Sequence, residues 1–139
     1  TFLTHCIAKA LLDACYSVIY LSAAELFEIF SSHEFQDDRE PEEELMYHHI
    51  YDCDLLIIDD LGTEVANNFT MSRLFSCINE RARTNRPVVI STNLNLEQIR
   101  NHYSERISSR LISNYRILTL YGDDIRIRKL FTHRRENNG

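Results

Sequence analysis

Two rhythms of apolar residues alternate along this chain. Over residues 2–15, Leu3, Ile7, Ala10, Leu11 and Ala14 recur every three or four positions, which predicts a helix. Ser17 to Leu21 is then a short apolar run, read as a strand. Ser22 has Glu25 three residues on, the spacing at which a hydroxyl and a carboxylate cap a first helical turn reciprocally. The helix it opens, about 23–32, carries Leu26, Phe27, Ile29 and Phe30. Residues 33–44 (HEFQDDREPEEE) are acidic and hold a proline, and are expected as a solvated loop or helix start. A helix over 42–51 leads into a strand over 54–58, and residues 62–69 form a loop rich in Asn, Thr and Gly. Met71, Leu74, Phe75, Ile78 and Ala82 predict a helix over about 70–84, stopped by Pro87. Val88 to Thr92 is a second buried strand ending in Asn93. A short helix starts over Leu96 to Ile99 and another runs over about 104–112. Arg116 to Tyr121 reads as a strand, Gly122-Asp123-Asp124 as a turn, and Ile125 to Phe131 as a last strand or short helix. Residues 130–139 are expected to be a flexible tail. Strands alternating with helices predict a parallel α/β sheet with helices on both faces.

One stretch stands out against this pattern. Leu55-Leu56-Ile57-Ile58 runs straight into Asp59-Asp60-Leu61-Gly62-Thr63-Glu64. A continuous apolar run this short reads as a strand buried on both faces. Two acids at its carboxyl end sit where open α/β sheets place ligands. A bound metal with phosphates gives two such acids a reason to stay ionised. This is the pattern of a Walker B strand. In that reading Asp59 holds a magnesium ion and Asp60 orients or activates the attacking water. The bland alternative is a strand ending in a polar turn, with one of the acids capping the next segment.

Two further features fit phosphate chemistry. Asn93, just past the second strand, is placed to hydrogen-bond a γ-phosphate or its water, though Asn also ends many strands at ordinary turns. Arg106 and Arg110, four apart in Glu105-Arg106-Ile107-Ser108-Ser109-Arg110-Leu111, share one helix face. From there they can reach the nucleotide of a neighbouring subunit and stabilise charge on a transferring phosphoryl group; otherwise they are a solvated face. Arg126, in Gly122-Asp123-Asp124-Ile125-Arg126, either contacts phosphate in its own subunit or lies on an exposed edge.

Composition narrows the class. A chain of 139 residues, 44% hydrophobic and 26% charged, fits one globular domain. No apolar run approaches the roughly 20 residues of a membrane span, and the start lacks the basic and apolar blocks of a signal peptide, so the cytoplasm is expected. Cys6, Cys15, Cys53 and Cys77 form no C-x-x-C pair, which argues against zinc. All four are expected to be small buried or half-buried thiols. The net charge of −6 hides an asymmetry. Residues 1–72 hold two basic side chains against fifteen acids, and residues 73–139 hold thirteen against six. The basic half can bind phosphates locally, or the two halves can face each other.

The phosphate-cradling pattern G-x-x-x-x-G-K-[ST] is absent from the chain, and none of the three glycines opens a helix. Thr1-Phe2-Leu3-Thr4 instead reads as the tail of "G-K-T-x-L". The first strand and the rest of the P-loop are then expected upstream, with Thr1 as the magnesium-binding Thr, and residues 1–139 by themselves are expected to bind ATP poorly.

Taken together, Thr1-Phe2-Leu3, LLIIDDLGTE, VVISTNLNLEQI, ERISSRL and GDDIRIRK resemble the AAA+ ATPase domain of bacterial helicase loaders, the DnaC and DnaI proteins, and of the related IstB transposition helpers. The resemblance covers Thr1 to about Lys129. It implies a three-layer P-loop NTPase fold lacking its first strand, and an ATPase that uses ATP and Mg2+ to load the replicative hexameric helicase onto single-stranded DNA. It also implies self-association through the ATPase domain and no membrane. By position, Asp59 and Asp60 match Walker B, Asn93 sensor 1, Arg110 the first choice of arginine finger with Arg106 second, and Arg126 sensor 2. Glu64 falls on an acid of the signature, with no role attached. An IstB-like ATPase assisting a transposase shares every motif. A non-hydrolysing binding module that keeps the fold is the third reading.

Overall fold

The computed structural model describes residues 1–36, 38, 40–65 and 67–121. Helix α1 (Phe2–Asp13) leads into strand β1 (Val18–Ser22), and helices α2 (Ala23–Phe35) and α3 (Pro41–Asp52) follow. Strand β2 (Leu55–Leu61), helix α4 (Asn68–Arg83) and strand β3 (Val88–Thr92) come next, then helices α5 (Leu96–His102) and α6 (Glu105–Asn114). The strands form a parallel sheet in the order β1-β2-β3, with Val18 opposite Leu55 and Leu56 opposite Val88. The continuous apolar run therefore became the central strand. Leu56, Ile57 and Ile58 have no exposure, whereas β1 and β3 are half-buried throughout.

Alternation along β2 sorts its side chains into two cores. Leu55 and Ile57 face α1, packing with Ala8, Ile7 and Leu11. Leu56 and Ile58 face the other way, into a larger core built by α2 through α6. Burying each of these aliphatic side chains contributes about 1.5–3 kcal/mol. Helices thus cover both faces, as the alternation of elements predicts.

The capping box at Ser22 and Glu25 is present: Ser22 N–H donates to Glu25 Oε2 at 2.7 Å, and Glu25 N–H donates to Ser22 Oγ. The acidic stretch is more helical than expected. Phe35 extends α2 by packing 5.1 Å from Phe69, and Glu34 pairs with Arg73. Glu42, Glu43 and Glu44 then occupy the first turn of α3, where the helix dipole favours them.

Two expectations need correction, and others fall on residues outside those described. Cys6 and Cys15 are exposed, not buried. Cys6 lies on the solvent side of α1, and Cys15 lies past the helix end with φ 64°. Residues 116–121 form no strand. An alternating run becomes a strand only where a sheet edge pairs with its backbone, and among the described residues neither edge takes it; Leu118, Leu120 and Tyr121 stand exposed. The turn at 122–124, the element at 125–131, Arg126 and the tail at 130–139 lie outside the described residues.

Candidate functional site

The carboxyl end of β2 departs from regular strand geometry. Ile58 pairs with Ile90, but Leu61 pairs with Thr92, so β2 spends three residues where β3 spends two. The extra residue makes a bulge. It resets the alternation, and Leu61 joins Ile58 in the larger core although the two are an odd number of positions apart. Asp60 is the residue put out of line: it is exposed, with φ 54°. A left-handed aspartate is strained, and such residues cluster at functional sites. Its N–H donates to Ser91 Oγ at 3.1 Å, and its carbonyl accepts from Thr63 Oγ1 at 2.9 Å.

Asp59 points to the α1 side and is 6% exposed. Ser91 Oγ donates a hydrogen bond to its Oδ1. The main-chain nitrogen of Thr1 lies 3.7 Å from the same oxygen. Burial works to raise the Asp59 pKa; hydrogen bonds, from Ser91 first and then Tyr20 and Thr1, act against it, and the carboxyl is held below its ordinary range. Tyr20 shifts the other way. Burial pushes its phenol up, reinforced by the Asp59 and Asp60 charges and opposed by a hydrogen bond with Thr4. Thr4 Oγ1 lies 3.0 Å from Tyr20 Oη and donates to the Thr1 carbonyl at 2.6 Å. The start of α1, the end of β1 and the end of β2 are thereby tied around Asp59.

The structure thus brings Thr1 and Asp59 together, with Asp60 as the exposed neighbour. Asn93 is exposed just beyond the carboxyl end of β3, the strand next to β2. Arg106 and Arg110 both lie on the exposed face of α6, whose Ile107, Ser108 and Leu111 are buried. They differ in engagement: Arg106 stacks its guanidinium 4.1 Å over the Phe75 ring, while the Arg110 side chain stands in solvent. Arg126 lies outside the described residues.

Sequence reasoning passed over Ser91, Tyr20 and Thr4. Ser91 had one usable signal: two positions before Asn93, it sits at the end of a strand paired with the one that ends in the acids. Tyr20 and Thr4 had none, since their relevance depends on strand order. A surface hollow between α2 and α3 is lined by none of Asp59, Asp60, Asn93 or the α6 arginines.

Magnesium is a hard ion that takes oxygen ligands and is bound by one or two carboxylates with substrate phosphates and water. A threonine hydroxyl beside an ionised Asp59 is a donor set of that kind. Among the described residues no group of three or more His, Cys, Asp or Glu side chains comes together to hold a metal. A metal at this position would take its other ligands from phosphate and water.

The sequence pattern of the IstB-like ATP binding proteins matches residues 1–132. No curated protein matches the chain in sequence. Among solved structures, a DNA replication initiation factor superposes with a TM-score of 0.67 at 18% identity, covering 94% of this chain and 39% of that one. The AMPPCP-bound DnaA of Aquifex aeolicus gives 0.63 at 18%, covering 75% and 31%. The DnaC helicase loader gives 0.59 at 18%, covering 76% and 61%. At such identities the likeness is one of fold: the three parallel strands and their helices are of the P-loop AAA+ type. The chain spans about a third of the initiator structures it matches.

Proposed function

The chain belongs to the IstB-like ATP-binding family, and from that premise we propose that it is part of an AAA+ ATPase that loads the replicative helicase onto single-stranded DNA. One observation carries the ATPase reading. At the carboxyl end of β2, a buried Asp59 held ionised beside Thr1 is followed by a bulge that turns Asp60 out of the core. In this reading Thr1 and Asp59 would hold Mg2+, which would supply positive charge to neutralise the ATP phosphates. Asp60 orients and deprotonates the attacking water, and Asn93 hydrogen-bonds the γ-phosphate or that water. Arg110, exposed on α6, reaches the nucleotide of a neighbouring subunit; Arg106 serves second, and Arg126 contacts phosphate within its own subunit. Self-association through this domain follows from an arginine acting across subunits.

Asp60→Asn keeps the size and the bulge but removes the base. In the whole protein it is expected to bind a fluorescent ATP analogue normally and to hydrolyse ATP at least about 100-fold more slowly. Turnover equal to that of the unaltered protein would overturn the assignment. The family match favours a second reading, an ATPase that assists a transposase on duplex DNA. Stimulation of turnover by single-stranded DNA with a replicative helicase supports the loader; stimulation by duplex DNA with a transposase supports the second.

A further inference from the structure

Glu64 follows the acid pair by four residues. Its side chain is only 6% exposed, which is unusual for a carboxylate in a surface loop. Three groups surround it. Gly62 N–H donates to Oε2 at 2.8 Å. The Tyr103 hydroxyl donates a hydrogen bond to Oε1. His102 Nε2, buried without a hydrogen-bond partner, lies 4.0 Å from Oε1. Tyr103 is itself buried and closes α5 immediately before Ser104 caps α6. Burial pushes its phenol well above the ordinary tyrosine range, with the Glu64 carboxylate adding to the effect, so the hydroxyl stays a donor.

The backbone on either side is tight. Gly62 has φ 103°, and a Cβ there would lie 2.4 Å from Leu94 Cδ1. Asp60 C=O and Thr63 are bonded to each other, so the turn from Asp60 to Glu64 moves as a unit. On the far side, Ser108 Oγ of α6 donates to the carbonyl of Ile99 in α5. A continuous chain of contacts thus runs from Asp60 through Gly62 and Glu64 to Tyr103, and on to the helix that carries Arg106 and Arg110.

We propose that Glu64 is a positioning residue: it latches the turn after Asp60 to the α5–α6 junction, so that the acid pair and the α6 arginines are held as one rigid unit. The inference rests on the ATPase reading above, in which Asp60 serves its own nucleotide and the arginines serve a neighbour's. The latch then makes each subunit's water-activating carboxylate and its arginines report on one another. Glu64 touches no nucleotide in this role.

The test compares Glu64→Ala, Glu64→Gln and Tyr103→Phe in the whole protein. Tyr103→Phe removes one hydroxyl and leaves the ring packing, so it folds even if Glu64→Ala does not. ATP hydrolysis is measured with varied ATP, and amide hydrogen exchange is measured without nucleotide. Glu64→Ala and Tyr103→Phe are expected to lower kcat by about 10- to 100-fold with little change in KM, as misplacement of reacting groups does. Glu64→Gln, which keeps an oxygen for the Tyr103 hydroxyl, recovers most of the loss. Exchange at Ile107 and Ser108 quickens in Glu64→Ala, although neither touches Glu64. Unchanged kcat, or a loss that merely follows a fall in Tm, overturns the latch. Unaltered protein that does not hydrolyse ATP defeats the ATPase reading instead. In that case exchange still decides the latch: unchanged protection on α6 overturns it.

Discussion

Arg81 is a guanidinium with no exposure, and it heads the fully buried side chains of the described residues in size, ahead of Phe30, Leu26 and Ile50. Its nitrogens donate to the carbonyls of Ile50 at 2.7 Å, Cys53 at 3.0 Å and Pro87 at 2.9 Å. It therefore caps the end of α3 and ties the starts of β2 and β3 together. Arg81→Met fills much of the same space but takes a donor from all three carbonyls, leaving Pro87 the Leu56 N–H at 3.3 Å and Cys53 the Arg86 guanidinium at 3.4 Å. It is expected to lower stability by about 3–5 kcal/mol, read as the midpoint of urea unfolding. A loss below about 1 kcal/mol would mean that water replaces the guanidinium there. Nothing in the sequence marked Arg81, because a basic residue near a helix end normally faces solvent. Asp59 and Asp60 stood out as candidates because two acids after four aliphatics are unusual, and the structure places both at the carboxyl end of β2. Ser91 and Glu64 were not legible, since each is defined by a partner more than thirty positions away.

Helices and strands were legible where local chemistry decides them. The Ser22–Glu25 box fixed the start of α2 from sequence alone. Matching boxes at Asn67–Thr70 and Asn95–Gln98 start α4 and α5 with side chains that carry a weaker signal. Residues 116–121 show the reverse case, an alternating apolar run whose state depends on a pairing partner. Helix ends carry a similar lesson. Tyr16 N–H donates to the Leu11 carbonyl and Cys15 N–H to the Leu12 carbonyl, a Schellman closure with Cys15 left-handed. At the end of α4, Asn85 takes the same place with φ 53°. Asparagine tolerates that conformation; cysteine does so at a cost. Cys15→Gly is expected to raise stability by about 1 kcal/mol, visible as a higher Tm. A lower Tm would show that the Cys15 side chain contributes contacts that outweigh the backbone strain.

For the molecule as a whole, the order of strands and helices was readable, but the order of strands within the sheet was not. The same holds for charge: the count predicted an acidic half, and only the fold shows which acids are held. Asp59 is kept below its ordinary pKa, and so are Asp54, by the Ser17 N–H and hydroxyl, and Glu25, by Ser22. Each has a folded pKa depressed below its unfolded value. The stabilisation they give is complete above about pH 4–5 and is lost as the pH falls through the depressed folded values. Urea midpoints are therefore expected to fall steadily with acidification below about pH 4. Asp54→Asn should flatten that dependence, and an unchanged slope would remove Asp54 from the account. No helix among the described residues is long and apolar enough to cross a membrane.

The bulge between Ile58 and Leu61 also limits how this chain can change in length. Because side chains alternate at every residue, the count between those two positions decides which of them enter the core. Deleting one aspartate would let β2 match β3 residue for residue and keep Leu61 in the core, but it would abolish the bulge that turns the second carboxylate outward. Inserting one residue would set four residues of β2 against two of β3 and widen the break in pairing. Substitutions at the acid pair leave the bulge in place, whereas insertions and deletions there change or remove it. The spacing of this motif is therefore constrained independently of its composition.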